Sequence, residues 1–342
     1  MFLDYYNLSP LLMQIHAFLC SVMPEWLALT LEGLAVGVFI LVMYAVLAII
    51  LIYMERKVCA AFQCRIGPNR VGGKGGLLQV PADVLKILTK EIISLKHSDH
   101  FLYALAPFLV ILASILTFSC LPWNKGGEIL HMNIGIFFVL AASSIGVLGI
   151  LLAGWSSNSK YTLIGAVRSG AMIISYELSI GLSVLTMVVM SGAMDIQTIV
   201  EGQANGWNIF KGHIPAIMAF VIYLIAGYHT EYSGMHFGFF YLAEYLNLFI
   251  TAGIATTLFL GGWMPLHIAG LDGLNMVMDY IPGFVWFIGK TFFIVFLLMW
   301  IRWTFPRLRI DQVLTLEWKY LMPLSLVVLL LMTVCKVFGL TF

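Results

Sequence analysis

Apolar runs long enough to cross a bilayer recur along this chain, and no other feature constrains its fold as much. A bilayer core needs about 20 mostly apolar residues per helix. Eight candidate spans can be read, roughly Leu31–Tyr53, Phe101–Leu121, Asn133–Ala153, Gly170–Met190, Ile214–Gly227, Phe237–Trp263, Gly283–Trp303 and Tyr320–Leu340. The fifth, at 14 residues, is too short for a span. With 61% hydrophobic and 10% charged residues, no stretch between the spans offers the polar surface a water-facing domain needs. The expected architecture is all-α, a single polytopic transmembrane domain over residues 1–342. A net charge of +1 provides no field to recruit nucleic acid. The five cysteines show neither a CxxC pair nor a metal-ligand spacing, and an odd count argues against a disulfide framework. The opening MFLDYYNLSPLLMQ lacks the basic head of a signal peptide, so insertion is expected from the spans themselves.

Loop charge orients the spans. Lys and Arg number eight between Met54 and His100, two between Gly154 and Ser169, none between Tyr228 and His236, and four from Arg302 to Lys319. The opposite loops hold only Lys125 and Lys211. Cytoplasmic loops carry the excess of positive charge, so both termini are expected outside. Within the long inner loop, Gly67, Pro68, Gly72, Gly73, Gly75 and Gly76 interrupt regular structure. A helical period then resumes over about residues 77–96, with Leu85, Leu88, Ile92 and Leu95 on one stripe and Lys86, Lys90 and Lys96 off it. That pattern predicts an amphipathic interfacial helix, either a surface anchor or a lid over something entering from lipid.

Soluble-type chemistry is excluded motif by motif. GPNRVGGKG lacks the GK[ST] ending of a phosphate loop and follows a membrane helix rather than a strand. Neither GWSSNS nor EYSGM matches a nucleophile elbow. The histidines lie in loops or at span ends, so haem ligation at membrane depth is not expected. His229, Glu231 and His236 could be drawn as metal ligands, but polar residues at a span entrance are the plainer reading, and no metal is expected.

Ionisable residues inside apolar spans are the strong signal, because a charge at the bilayer centre costs about 3 kcal/mol or more. Glu177 sits mid-span, Glu244 lies a turn or two into LAEYLN, and Lys290 interrupts FIGKTFF, while Glu32 and Glu231 stand near span ends. Any one alone could be a buried structural pair. Several in one bundle favour an ion or proton pathway, since desolvation and neighbouring charge can both move a carboxyl's proton affinity.

The stretches ERKVCAAFQCRIGPNRVGGKGGLLQVPADVLKILTKE, GWSSNSKYTLIGAVRSGAMIISYELSIG, EYSGMHFGFFYLAEYLN, FLGGW and WIRWTFPRLRIDQVLTLEWKYLMPLSL closely resemble, in order, signatures of one family. It is the H subunit of proton-pumping NADH:quinone oxidoreductase, respiratory complex I, called subunit 1 in mitochondria. The resemblance implies a non-redox membrane subunit, not catalytic alone, that joins the hydrophilic electron-transfer arm to the membrane arm and forms the quinone entrance tunnel. Quinone is then the substrate, and flavin and iron–sulfur clusters belong to partner subunits. By motif match, Glu55, Arg56, Arg65, Asp83 and Lys86 resemble the polar lining of the quinone chamber. Glu177, Glu231 and Glu244 resemble carboxylates that relay protons towards antiporter-like subunits. Implied partners are the hydrophilic arm with its terminal iron–sulfur cluster, the small and antiporter-like membrane subunits, and lipid. The implied location is a bacterial or mitochondrial inner membrane.

One departure stands out. The family carries an acidic inner loop of the type ETNRxPFDLxExESEL after the fifth span, whereas here YLIAG runs straight into YHTEYSG. A segment is therefore expected to be missing between Leu224 and Tyr228. Three other readings compete with the family function. The homologous membrane component of a membrane-bound hydrogenase is disfavoured by the full-length agreement. An ion-coupled transporter is disfavoured by the lack of an internal repeat. A pure scaffold would tolerate neutral replacement of every span carboxyl.

Overall fold

A computed structural model describes residues 16–21, 23–73, 75–91, 98–204, 206–226, 237–267, 272–304 and 309–339. Among them the chain is helical between loops and turns, with no strand. The helices are α1 (Glu25–Phe62), α2 (Gln79–Leu88), α3 (His100–Ser119), α4 (Gly135–Ser156), α5 (Lys160–Ser191), α6 (Ile196–Glu201), α7 (Asn208–Lys211), α8 (His213–Ala226), α9 (Phe237–Phe259), α10 (Asp272–Asp279), α11 (Gly283–Thr304), α12 (Ile310–Leu316) and α13 (Met322–Val337). Among the described residues seven apolar stretches are long enough to cross a membrane, and α8 is a shorter one.

Helix ends differ from the sequence expectation where charge was taken for a boundary. α1 runs 38 residues, roughly 57 Å at 1.5 Å per residue, and so outreaches a 30 Å hydrocarbon core. Its last turns carry Glu55, Arg56 and Lys57 beyond the apolar run. α5 starts at Lys160 rather than Gly170 for the same reason: a helix continues past the bilayer as long as its backbone bonds are met. The amphipathic helix is shorter than residues 77–96. α2 closes at Thr89, whose hydroxyl donates to Leu85 O (2.9 Å) and Lys86 O (3.3 Å), and residues 92–97 lie outside the described set. The last span is preceded by α12 and a π-helical turn, Glu317–Leu321, just before Pro323, which has no N–H to continue the ladder. The expected gap between Leu224 and Tyr228 borders residues 227–236, which lie outside the described residues, as do His229, Glu231 and His236.

α9 is the centre of the bundle. It contacts α1, α3, α5, α6, α7, α8 and α11, and its most apolar stretch is 72% buried, against 22% for the last span. Fully buried Ala252 and Ala255 allow the close backbone approach that membrane packing depends on. The α3–α4–α5 hairpins are equally tight: a Cβ at Gly149 would meet Val110 at 2.6 Å, and one at Gly154 would meet Ala166 at 2.1 Å. Outward faces remain apolar, including Leu34, Val38, Phe39 and Val42 of α1 and Leu330 and Val334 of α13. That surface suits lipid or neighbouring membrane subunits.

Lys290 turns out to be a fastening. Its Nζ donates to three carbonyls of the turn after α9, Leu260 O (2.6 Å), Gly262 O (3.1 Å) and Met264 O, and sits 4.5 Å from the Trp207 ring centre. These carbonyls end a helix and would otherwise be buried without donors.

Candidate functional site

At the inner end of α1, polar groups from four segments converge. Glu55 on α1, Glu244 on α9 and Arg302 on α11 form one cluster, with Arg302 NH2 3.1 Å from Glu244 Oε1 and Arg302 NH1 3.7 Å from Glu55 Oε1. All three are largely shielded, at 15%, 21% and 8% side-chain exposure for Arg302, Glu244 and Glu55. Two carboxyl groups share one guanidinium here, and in low dielectric each depends on that shared donor.

The cluster forms part of the wall of a cavity of about 680 Å³, whose other lining includes Arg56, Arg65, Ile66, Gln79 and Trp303. The floor is positioned by the inner loop. Arg56 NH1 donates to Asp83 Oδ2 at 2.5 Å, and Gln79 Nε2 donates to Asp83 Oδ1 at 3.3 Å, which ties α2 to α1. Lys57 Nζ donates to Pro68 O (2.8 Å) and Tyr53 OH to Gly75 O (2.8 Å). Gly76 is required there: at φ +67° a Cβ would lie 2.2 Å from Pro68 O.

A second cavity, about 410 Å³, lies between α3, α4, α5 and α9 at membrane depth. Its walls are apolar apart from a few groups, among them Glu177, Ser143, Asn247 and Glu244. Ser143 of α4, whose hydroxyl donates to Leu140 O at 2.8 Å, and Glu177 of α5 both line it. Glu244 therefore lines both cavities, the charged one at the inner end and the apolar one inside the bundle.

Of the residues singled out from the sequence, Glu55, Arg56 and Arg65 come together at the inner cavity, and Asp83 joins them through Arg56. Lys86 does not, being exposed on α2 and absent from the lining. Glu177 and Glu244 share the second cavity, while Glu231 lies outside the described residues. Glu32, at the other end of α1, pairs with His16 at 3.0 Å. Arg56 and Asp83 neutralise each other across α1 and α2.

Two residues escaped sequence reasoning. Arg302 reads as a loop-edge cation in WIRWT, and only the fold brings it between Glu55 and Glu244. Glu317 is 3% exposed in the π-helical turn, where it accepts from Ser179 Oγ at 2.8 Å, while Trp318 Nε1 donates to Ser175 Oγ at 3.0 Å. A carboxylate in TLEWKYL beside an apolar run was the available signal.

Comparison with known proteins gives a consistent picture. A family model described as NADH dehydrogenase matches residues 34–227 and 223–333. The H subunit of NADH-quinone oxidoreductase from Bacteroides fragilis (strain ATCC 25285) is 68% identical over 96% of this chain and 97% of its own. The Bacteroides thetaiotaomicron protein of the same name is 67% identical with the same coverage. NADH-quinone oxidoreductase subunit 8 of Rhodothermus marinus is 41% identical over 82% of this chain and 89% of its own.

Proposed function

The chain belongs to the family of the H subunit of NADH-quinone oxidoreductase, respiratory complex I, and from that premise we propose that it forms the quinone entrance tunnel and couples quinone reduction to proton translocation. The observation that carries the reading is the position of Glu244, bound to Arg302 and shared by the two cavities. A quinone has an apolar tail and a polar head, so its path should open to lipid and offer charge only at the inner end. The inner cavity has Ile66 and Trp303 beside Glu55, Arg56 and Arg65, which suits both parts.

Reduction of a quinone takes up protons, and groups within hydrogen-bond reach of the head can supply them. In this reading Arg56 and Arg65 orient the head and balance its charge. Arg302 transmits a change of charge in the chamber, because what it gives to Glu55 or to a new anion is withdrawn from Glu244. Glu244 and Glu177 then exchange protons along the second cavity, with Glu231 a further carrier. The hydrophilic arm with its terminal iron–sulfur cluster docks on the inner loop, and antiporter-like subunits receive the change on the far side. In this reading the membrane is that of a bacterial cell, and the loop charge puts both termini outside.

Glu244→Gln in the assembled complex tests this, because it keeps shape and removes ionisation. The expected result is a severalfold lower ratio of protons pumped per NADH, with NADH oxidation by a soluble artificial acceptor unchanged. Pumping at the wild-type ratio would remove Glu244 from the relay.

A further inference from the structure

At the end of the bundle opposite the quinone chamber, three ligand-type side chains meet. Glu128 and His131 belong to the α3–α4 loop, and Asp195 is the residue before α6. His131 Nδ1 lies 3.0 Å from Glu128 Oε2 and 3.8 Å from Asp195 Oδ1. One ligand atom from each residue falls within 4.8 Å of the other two. Around a tetrahedral zinc ion with bonds of about 2.0–2.1 Å, neighbouring ligand atoms stand roughly 3.3 Å apart. The two distances from His131 bracket that separation.

The backbone already holds the three in place. Leu130 N donates to Ser119 O at 3.0 Å, Ile136 N donates to Met194 O at 3.2 Å, and Asp195 Oδ2 caps α6 by accepting from Thr198 N at 3.0 Å. A second observation points independently to a ligand. Glu128 is only 6% exposed, and its Oε1 has no hydrogen-bond partner among the described residues. A carboxylate oxygen buried without a donor is unfavourable, since burying a charge is expensive unless it is paired. His131, by contrast, has a half-exposed side chain, which leaves a path from solvent.

We propose that Glu128, His131 and Asp195 form a divalent-cation site of zinc type that pins the α3–α4 loop to the start of α6. One imidazole nitrogen with two carboxylates suits a borderline-soft ion such as Zn²⁺ better than Mg²⁺ or Ca²⁺, which prefer all-oxygen shells. Three protein ligands leave a fourth position for water or for a ligand from a neighbouring subunit. The proposal does not rest on the quinone reading, since the site lies at the other end of the helices.

The test is equilibrium dialysis of the assembled complex against radioactive Zn²⁺, with millimolar Mg²⁺ present to suppress weak sites. Wild type is compared with His131→Ala, Asp195→Asn and His131→Cys. Asn remains a good helix N-cap, so Asp195→Asn removes the ligand while keeping the fold. Cys supplies a thiolate ligand in place of the imidazole. The expected result is one Zn²⁺ equivalent lost, or bound at least tenfold more weakly, in His131→Ala and Asp195→Asn, and retained in His131→Cys. NADH:quinone activity without zinc should be unchanged in all three. The same zinc stoichiometry and affinity in all four proteins would overturn the proposal, as would loss of the equivalent in His131→Cys together with the other two.

Discussion

Replacing Lys290 by Met separates two roles that an intramembrane cation can have. Its Nζ satisfies Leu260 O, Gly262 O and Met264 O, and the residue is 8% exposed. Met preserves the length and apolar bulk of the side chain and removes the donor. Each buried carbonyl left without a partner costs about 2 kcal/mol, or roughly 6 kcal/mol for the three. Against that, the variant no longer holds an ammonium out of water, a saving of roughly 3 kcal/mol at membrane depth. The balance is a destabilisation of about 3 kcal/mol. For a chain of this size that corresponds to a thermal midpoint lower by roughly 5 °C, extending the scaling known for soluble domains. Thermal inactivation of the purified complex reads the midpoint, and initial rates at low temperature read the catalysis. The expected result is a lower midpoint with wild-type quinone reduction and proton pumping. An unchanged midpoint with lost pumping would refute the reasoning and make Lys290 a proton carrier.

Arg56→Glu should lower quinone reductase activity severalfold while leaving electron transfer to a soluble acceptor intact, and the swap Arg56→Asp with Asp83→Arg should recover part of it. Because each partner is about one-third exposed, the pair contributes no more than about 1 kcal/mol to stability, so failure of assembly in Arg56→Glu would contradict this account. Cys64 is exposed on the inner loop, so a membrane-impermeant maleimide should label it once the hydrophilic arm is stripped away and leave it unmodified in the whole complex. Equal labelling in both preparations would deny that the arm docks there. Cys120 is buried and should stay unlabelled throughout.

The spans were legible because bilayer thickness imposes a length on apolar runs. Glu177 and Glu244 were legible because a carboxylate in such a run must have a reason for its cost. What the sequence hides is convergence. Glu55, Glu244 and Arg302 are 189 and 58 positions apart and meet only because α1 and α11 both pack on α9. Glu128, His131 and Asp195 meet because the α3–α4 loop folds back against the turn after α5. Periodicity also assigns faces without saying what each face meets. Lys86 and Asp83 share α2, yet Asp83 reaches Arg56 and Lys86 points to the surface.

A final expectation concerns the length of the subunit itself. The family model matches in two stretches that meet at residues 223–227, where a missing segment is expected. The alignments to the Bacteroides proteins run over 349 positions, yet 96% of 342 residues, about 328, take part, so some 20 positions are filled by the relatives alone. Within the described residues α8 runs 14 residues to Ala226, about 21 Å against a hydrocarbon core of about 30 Å, and residues 227–236 lie outside them. A helix this short is tolerable only if its ends are met by protein, and a following inner segment would supply that cover. We therefore propose that the native subunit carries about 20 further residues between Leu224 and Tyr228. Intact-mass measurement of the subunit from the purified complex decides it: by proportion to 38.1 kDa for 342 residues, the expected excess is about 2 kDa. A mass of 38.1 kDa would establish a true deletion. Coupling would then have to run through Arg302, Glu244 and Glu177 without the acidic loop that the family places beside the quinone.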